Sequence, residues 1–385
     1  MLLNDFFDPV SLENSDDRSL INNDSFCNHI TINTPDSDIK SLQNFQVALI
    51  GVPDDRGSSL KGTGMAPDVI RDKLYQLNIF EKKIPIVDLG NLKQGKEIKD
   101  TYFGLRDVLL ELMSNNILPI VIGGSQDLTY GIFLAFEYLK KKYTLATIDY
   151  RIDIAFDDYQ AINFRNYLNS IILENKYLFE FFNIGQQACF NSADNTDIFE
   201  NLFHETIRLG NLRNNVILAE PYLRDSNILS IDMSAIRHSD APGQTVPSPN
   251  GFSAEDICQI ARYSGFGEGL KAFGIFNTSP RLDQNNVTSS LAAQIIWYML
   301  EGYSIRLNER PSENPNEFKK HIISLNEQSS IVFYKSLLTN RWWSEISFDE
   351  GKSQVISASE SDYLNANKLE IPDRWLKIVK KLNNF

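Results

Sequence analysis

Between Val47 and Phe276 the chain alternates short, almost wholly apolar runs with longer amphipathic stretches. The runs are Val47–Val52, Ile84–Leu89, Ile117–Ile122, Tyr143–Ile148, Phe181–Ile184, Ile228–Ile231 and Leu270–Phe276. A strand with one wet face alternates apolar and polar residues. A strand that is apolar throughout is covered on both faces, as in a parallel sheet. The intervening stretches Pro67–Leu77, Tyr102–Met113, Leu128–Leu139, Phe199–Leu209, Ala254–Tyr263 and Ser289–Tyr303 read as helices. Strand, helix and strand in succession need crossover connections. The pattern therefore predicts an α/β fold, a three-layer α/β/α sandwich with a mainly parallel sheet. In such sheets ligands bind at the carboxyl ends of the strands.

The pattern fails at both ends. Residues 1–44 are rich in Asn, Asp and Ser, and their apolar residues follow no period, which predicts a loosely ordered arm. Residues 45–306 carry the periodic pattern and form the α/β domain. Then comes Pro311-Ser312-Glu313-Asn314-Pro315, a linker-like piece. Beyond it stand Phe333, Tyr334, Trp342, Trp343 and Trp375, too many aromatics for a disordered tail. Residues 307–385 are thus expected to form an extension packed on the core, with Trp342 and Trp343 inside it.

Composition narrows the class. Hydrophobic residues make up 42% of 385, enough for a large core. The net charge of −13 disfavours nucleic acid and anionic membrane surfaces as partners. The three cysteines, Cys27, Cys189 and Cys258, form no C-x-x-C pair, so neither a disulfide framework nor a structural zinc site is indicated. The longest apolar stretch, near Ile295–Leu300, is too short to span a bilayer. Met1–Val10 carries Asp5 and Asp8 and no basic cluster, unlike a secretory leader. A cytoplasmic protein without membrane insertion is expected.

Polar residues follow the apolar runs directly at three strand ends: Gly123-Gly124-Ser125-Gln126-Asp127, Asp149-Tyr150-Arg151-Ile152-Asp153, and Asp232-Met233-Ser234. A parallel sheet brings these ends to one rim. Asp149, Arg151 and Asp153 are spaced by two and point the same way in extended chain. Three buried carboxylates cannot stay charged and close without a cation, so a metal or an arginine must supply one. Taken singly, each Asp could merely cap a helix or make a turn.

These motifs, together with Leu49-Ile50-Gly51-Val52-Pro53-Asp54-Asp55-Arg56-Gly57 and Gly64-Met65-Ala66-Pro67-Asp68, resemble the arginase/agmatinase/formimidoylglutamase (ureohydrolase) family in order and spacing. Asp240-Ala241-Pro242-Gly243 and Pro249-Asn250-Gly251-Phe252 are most similar to the formimidoylglutamase branch. The resemblance implies an arginase-like fold over 45–306 and, in the family, hydrolysis of an amidine or guanidinium carbon by a hydroxide bridging two manganese ions. Two histidines and four aspartates hold that pair. Set on the motifs G-G-D-H-S, D-A-H-x-D, S-x-D-x-D and E-x-N-P-x-x-D, this chain departs at four places. Gln126 stands for the first histidine, Arg151 for the second, Ser234 for one aspartate and Asn277 for the glutamate. Asp149, Asp153 and Asp232 remain.

The retained donors imply at most one weakly held divalent ion (Mn, Mg or Ca) on Asp149, Asp153, Asp232 and Gln126, and otherwise no cofactor. The Arg151 guanidinium is expected to take the second metal's place, paired with Asp149 and Asp232. Asn277, His238 and Ser234 are the remaining cleft candidates, whereas His29, His204 and His321 read as ordinary structural histidines. Three functions follow. The chain is a pseudoenzyme without the binuclear manganese centre, acting by binding or assembly; or a formimidoylglutamase-type hydrolase of a linear amidine or guanidino C–N bond with an altered or single metal; or a sensor of a small guanidino or amidine metabolite. Relatives assemble, so a homo-oligomer is expected, with a further protein partner possible in the assembly reading.

Overall fold

The computed structural model describes residues 3–11, 21–37, 39–58, 61–155, 161–173, 176–325, 329–348 and 352–383. Ten strands form one mixed sheet: β1 (Phe7–Asp8), β2 (Thr31–Ile32), β3 (Val47–Val52), β4 (Ile86–Leu92), β5 (Leu118–Gly123), β6 (Tyr143–Ile148), β7 (Leu178–Gln186), β8 (Glu205–Arg208), β9 (Ile228–Asp232) and β10 (Ala272–Phe276). Their order is β1-β4-β3-β5-β10-β9-β6-β7-β8, with β2 also paired to β4. Within this sheet only the β1–β4 pairing is antiparallel among the described residues.

Both faces of this sheet are dry. Val47 and Leu49 of β3 enter one apolar cluster, while Ala48, Ile50 and Val52 enter the other. Likewise Leu229 and Ile231 of β9 face one side and Ile228 the other. The helices Ala66–Gln76, Ala254–Phe266 and Val287–Ser304 supply Ile70, Ile257 and Ile295 to the first cluster. Helices Ile98–Ser114 and Leu128–Leu139 supply Leu109 and Ile132 to the second. The result is the expected sandwich, and the unbroken apolar runs reflect burial on both sides.

One expected element splits. Phe199–Leu209 is not a single helix: helix Ala193–Asn201 ends, Phe203 adopts φ 56°, and Glu205–Arg208 pairs with β7 as the sheet's edge strand. The β-branched pair Thr206-Ile207 suits a strand better than a helix. His204, between them, is core, and its Nδ1 accepts the Phe181 N–H at 3.2 Å. Burial depresses its pKa to about 3.

The described part of the N-terminal segment docks more firmly than a loose arm would. Phe7 and Phe26 are buried, and Asn33 bonds Asp88 and Leu89 carbonyls through its N–H and its side chain, both at 2.9 Å. Residues 1–2, 12–20 and 38 of that arm lie outside the described residues.

Beyond Arg306, strands β11 (Phe318–Ser324), β12 (Ser330–Ser336), β13 (Trp342–Phe348) and β14 (Lys352–Ala358) make an antiparallel sheet in that order. Helices Glu360–Ala366 and Asp373–Asn383 follow it. Trp342 and Trp343 are both buried. Arg374 fixes this unit to the core, donating to Glu180 at 2.9 Å and Asp225 at 2.7 Å. From the core side, the buried Arg224 donates to the carbonyls of Trp342 and Ala358 and lies 4.2 Å over the Trp343 ring.

Candidate functional site

Strands β5, β10, β9 and β6 are consecutive neighbours in the sheet, and each ends in a polar residue. Gln126 follows β5, Asn277 follows β10, Asp232 ends β9 and Asp149 follows β6. Gly124 lets this rim close: a Cβ there would sit 1.9 Å from the Asp54 carbonyl oxygen. Asn277 adopts φ 65°, a left-handed conformation that asparagine tolerates. Its N–H donates to the Gly124 carbonyl at 2.9 Å, which ties β10 to the turn after β5.

Amides hold the carboxylates together. The Gln126 amide lies 2.9 Å from Asp232 Oδ2, 3.0 Å from Asp149 Oδ2 and 3.3 Å from the Tyr167 hydroxyl, and with its nitrogen toward the carboxylates it would donate to both and accept from the tyrosine. That orientation is the one its partners dictate. Asn277 Nδ2 donates to Asp232 Oδ2 at 2.7 Å, and the Ser234 N–H donates to Asp232 Oδ1 at 2.7 Å. Asp232 is thereby saturated with neutral donors.

Arg151 corrects an expectation. Its guanidinium does not bridge Asp149 and Asp232. Nε and Nη2 both donate to Asp153 Oδ1, at 3.0 and 2.6 Å, and only the backbone N–H reaches Asp149 Oδ1, at 3.0 Å. The spacing of two in extended chain puts Asp153 within reach, and the amide donors have already occupied Asp232. The Arg151 side chain is 26% exposed at the rim, whereas that of Asp153 is 3% exposed.

One cation does not neutralise three buried carboxylates. Asp149 is pushed well above the usual carboxylate range by burial and by Asp153 and Asp232. Asp153 is raised to about 6 by burial, with Arg151 and a hydrogen bond from Asp149 pulling the other way. Burial raises Asp232 as well, against the pull of Ser234 and Asn277. Burial thus raises all three carboxyls, and amide donors complete the cluster.

Of the cleft candidates, Asn277 and Ser234 enter this cluster through the bonds just given. His238 does not: it is exposed on the following loop, and its N–H donates to the Ser248 carbonyl at 2.7 Å.

Several participants carried no motif. Tyr167, fully buried, comes from a segment without strand or helix periodicity. Asn191 clamps the Asp149–Asp153 turn, accepting the Ile152 N–H and donating to the Tyr150 and Gln187 carbonyls. Asp127, one residue after Gln126, is fully buried, accepts the Tyr102 hydroxyl at 2.5 Å and is raised to about 6 by burial. A polar residue immediately after a strand run was the available signal for Asp127.

The model of the arginase family matches residues 45–301. Formimidoylglutamase of Bacillus subtilis is 24% identical over 281 residues, spanning 67% of this chain and 87% of that protein. The crystal structure of Trypanosoma cruzi formiminoglutamase with Mn2+2 superposes with a TM-score of 0.65 at 17% identity, covering 70% of this chain and 97% of that one. The B. subtilis formimidoylglutamase structure gives 0.64 at 18%, covering 73% and 92%.

The manganese in the Trypanosoma structure corrects the expectation of no cofactor. Hard carboxylate oxygens such as those surviving at this rim are donors that suit Mn2+. The family's full two-metal donor set is nevertheless not what these side chains offer. A guanidinium has no lone pair to give a metal, and Ser234 brings a backbone N–H where the family has a carboxylate. Among the described residues no three His, Cys, Asp or Glu side chains stand in metal-holding geometry. No described helix is long and apolar enough to cross a membrane. With residues 45–301 matched by the family's model, the chain belongs to the arginase family.

Proposed function

We propose that this arginase-family chain does not run the family's hydrolysis and acts through binding or assembly on the inherited fold. The observation that carries the proposal is the Arg151 guanidinium, which stands at the rim and donates through Nε and Nη2 to Asp153 Oδ1. A two-metal hydrolase needs those oxygens free for cations that generate and hold a hydroxide. Here neutral donors reach Asp232, and the arginine is committed to Asp153. The rim residues bond largely to one another, which supports a scaffold. Self-association or docking of another protein is part of this proposal.

The test is turnover. Purified protein with manganese present should release no ammonia, urea or formamide above the blank from formimidoylglutamate, agmatine or arginine. Saturable, manganese-dependent release would instead assign a formimidoylglutamase-type hydrolase.

A further inference from the structure

The opposite edge of the sheet holds a cavity that neither the rim nor the family motifs account for. It lies at the amino ends of β5 and β6 and just before β9 and β10, where Leu118, Tyr143, Asn227 and Lys271 contribute to its wall. The rim is about 20 Å away, one six-residue strand at roughly 3.3 Å per residue. Its volume is about 480 Å³, within the range of small-molecule pockets.

Its chemistry is two-sided. Leu110, Met113, Phe136, Leu139 and Tyr303 supply apolar wall. Lys141, Lys142, Lys271 and Arg306 supply cations, and no Asp or Glu lines it. That is unusual in a chain of net charge −13. Helices Ile98–Ser114, Leu128–Leu139 and Val287–Ser304 end here, and cations near helix carboxyl ends complement the dipole. That accounts for Lys141 and Arg306. It does not account for Lys271, which precedes a strand and is crowded by like charge: burial, Arg306 and Arg310 depress its pKa. A cation with no acidic partner in the cavity wall is what an anionic group would neutralise.

We propose that this cavity is a second ligand site, taking a small molecule with an apolar body and one anionic end. The apolar part packs against Phe136 and Leu139, and the anionic end meets Lys271 and Arg306. The site does not depend on whether the rim turns over a substrate.

The experiment is calorimetric titration of the full chain with sodium octanoate and with octyl phosphate, using octylamine as the charge-reversed control. One variant accompanies it: Lys271→Glu, at an exposed position that leaves the fold intact. Saturable binding of octanoate or octyl phosphate is expected, with none for octylamine. Lys271→Glu should weaken binding at least tenfold. Whichever anion binds more tightly identifies the head group as carboxylate or phosphate. Absence of binding by both anions, equal binding of octylamine, or affinity unchanged in Lys271→Glu would each overturn the proposal.

Discussion

Two buried charge clusters in this molecule are solved in opposite ways. Where the C-terminal extension meets the core, Arg374 lies between Glu180 and Asp225 and also donates to the Ser357 carbonyl. At the strand rim, Asp149, Asp153 and Asp232 face one arginine committed to Asp153, and Asp232 is met by neutral donors. A junction selected for docking balances its charges with fixed forks of donors. A rim inherited from a metal site keeps more carboxylates than its own cation can balance. The raised pKa values of Asp149 and Asp153 are the mark of that imbalance.

The contrast can be broken from either side. Arg374→Ala strands two carboxylates at the junction and should cost about 3–5 kcal/mol, read by urea denaturation, with faster proteolysis between core and extension. A loss near zero would show that the junction is not held by its charges. Gln126→Leu removes the donor shared by Asp149 and Asp232. It should cost roughly 1–3 kcal/mol, the price of leaving buried acceptors unsatisfied. A stabilising result would mean that the amide is incidental to the cluster. Arg151→Ala should cost less, about 1 kcal/mol, because the side chain is 26% exposed and serves one carboxylate.

The smallest effect concerns pH. Asp153 titrates at about 6 in the fold, against about 3.9 in an unfolded chain. A carboxyl raised on folding contributes stability that is present below the unfolded value and lost as pH rises through the folded one. Stability from the rim should therefore decline between about pH 4 and pH 6. Asp149→Asn keeps a donor toward Asp153 while removing a buried acid, and should flatten that decline in melting-temperature profiles. An unchanged slope would place the raised pKa values elsewhere.

Much of this was legible in the residues. Val47–Val52, Tyr143–Ile148 and Leu128–Leu139 fall where the pattern put them, because continuous burial leaves little choice of period. Asp149, Asp153, Asp232, Gln126 and Asn277 stood out because polar side chains directly after dry strands must reach the sheet's open edge. Their pairing was not legible. Whether Arg151 turns to Asp153 or to Asp232 depends on which acceptors other chain segments have already filled. Those donors, from Ser234, Asn277 and Gln126, meet only in three dimensions. Tyr167 and Asn191 lie in segments with no period to read, and Glu205–Arg208 was too short to separate from the helix before it.

The central claim is that the rim's present donors, and not the fold, prevent hydrolysis. The most direct test compares the natural chain with Gln126→His/Arg151→His/Ser234→Asp, assaying both for ammonia, urea and formamide release at saturating manganese. The natural chain should stay at the blank while the rebuilt rim gains manganese-dependent turnover. Turnover by the natural chain at ordinary enzyme rates, about 1 per second or faster, would contradict it.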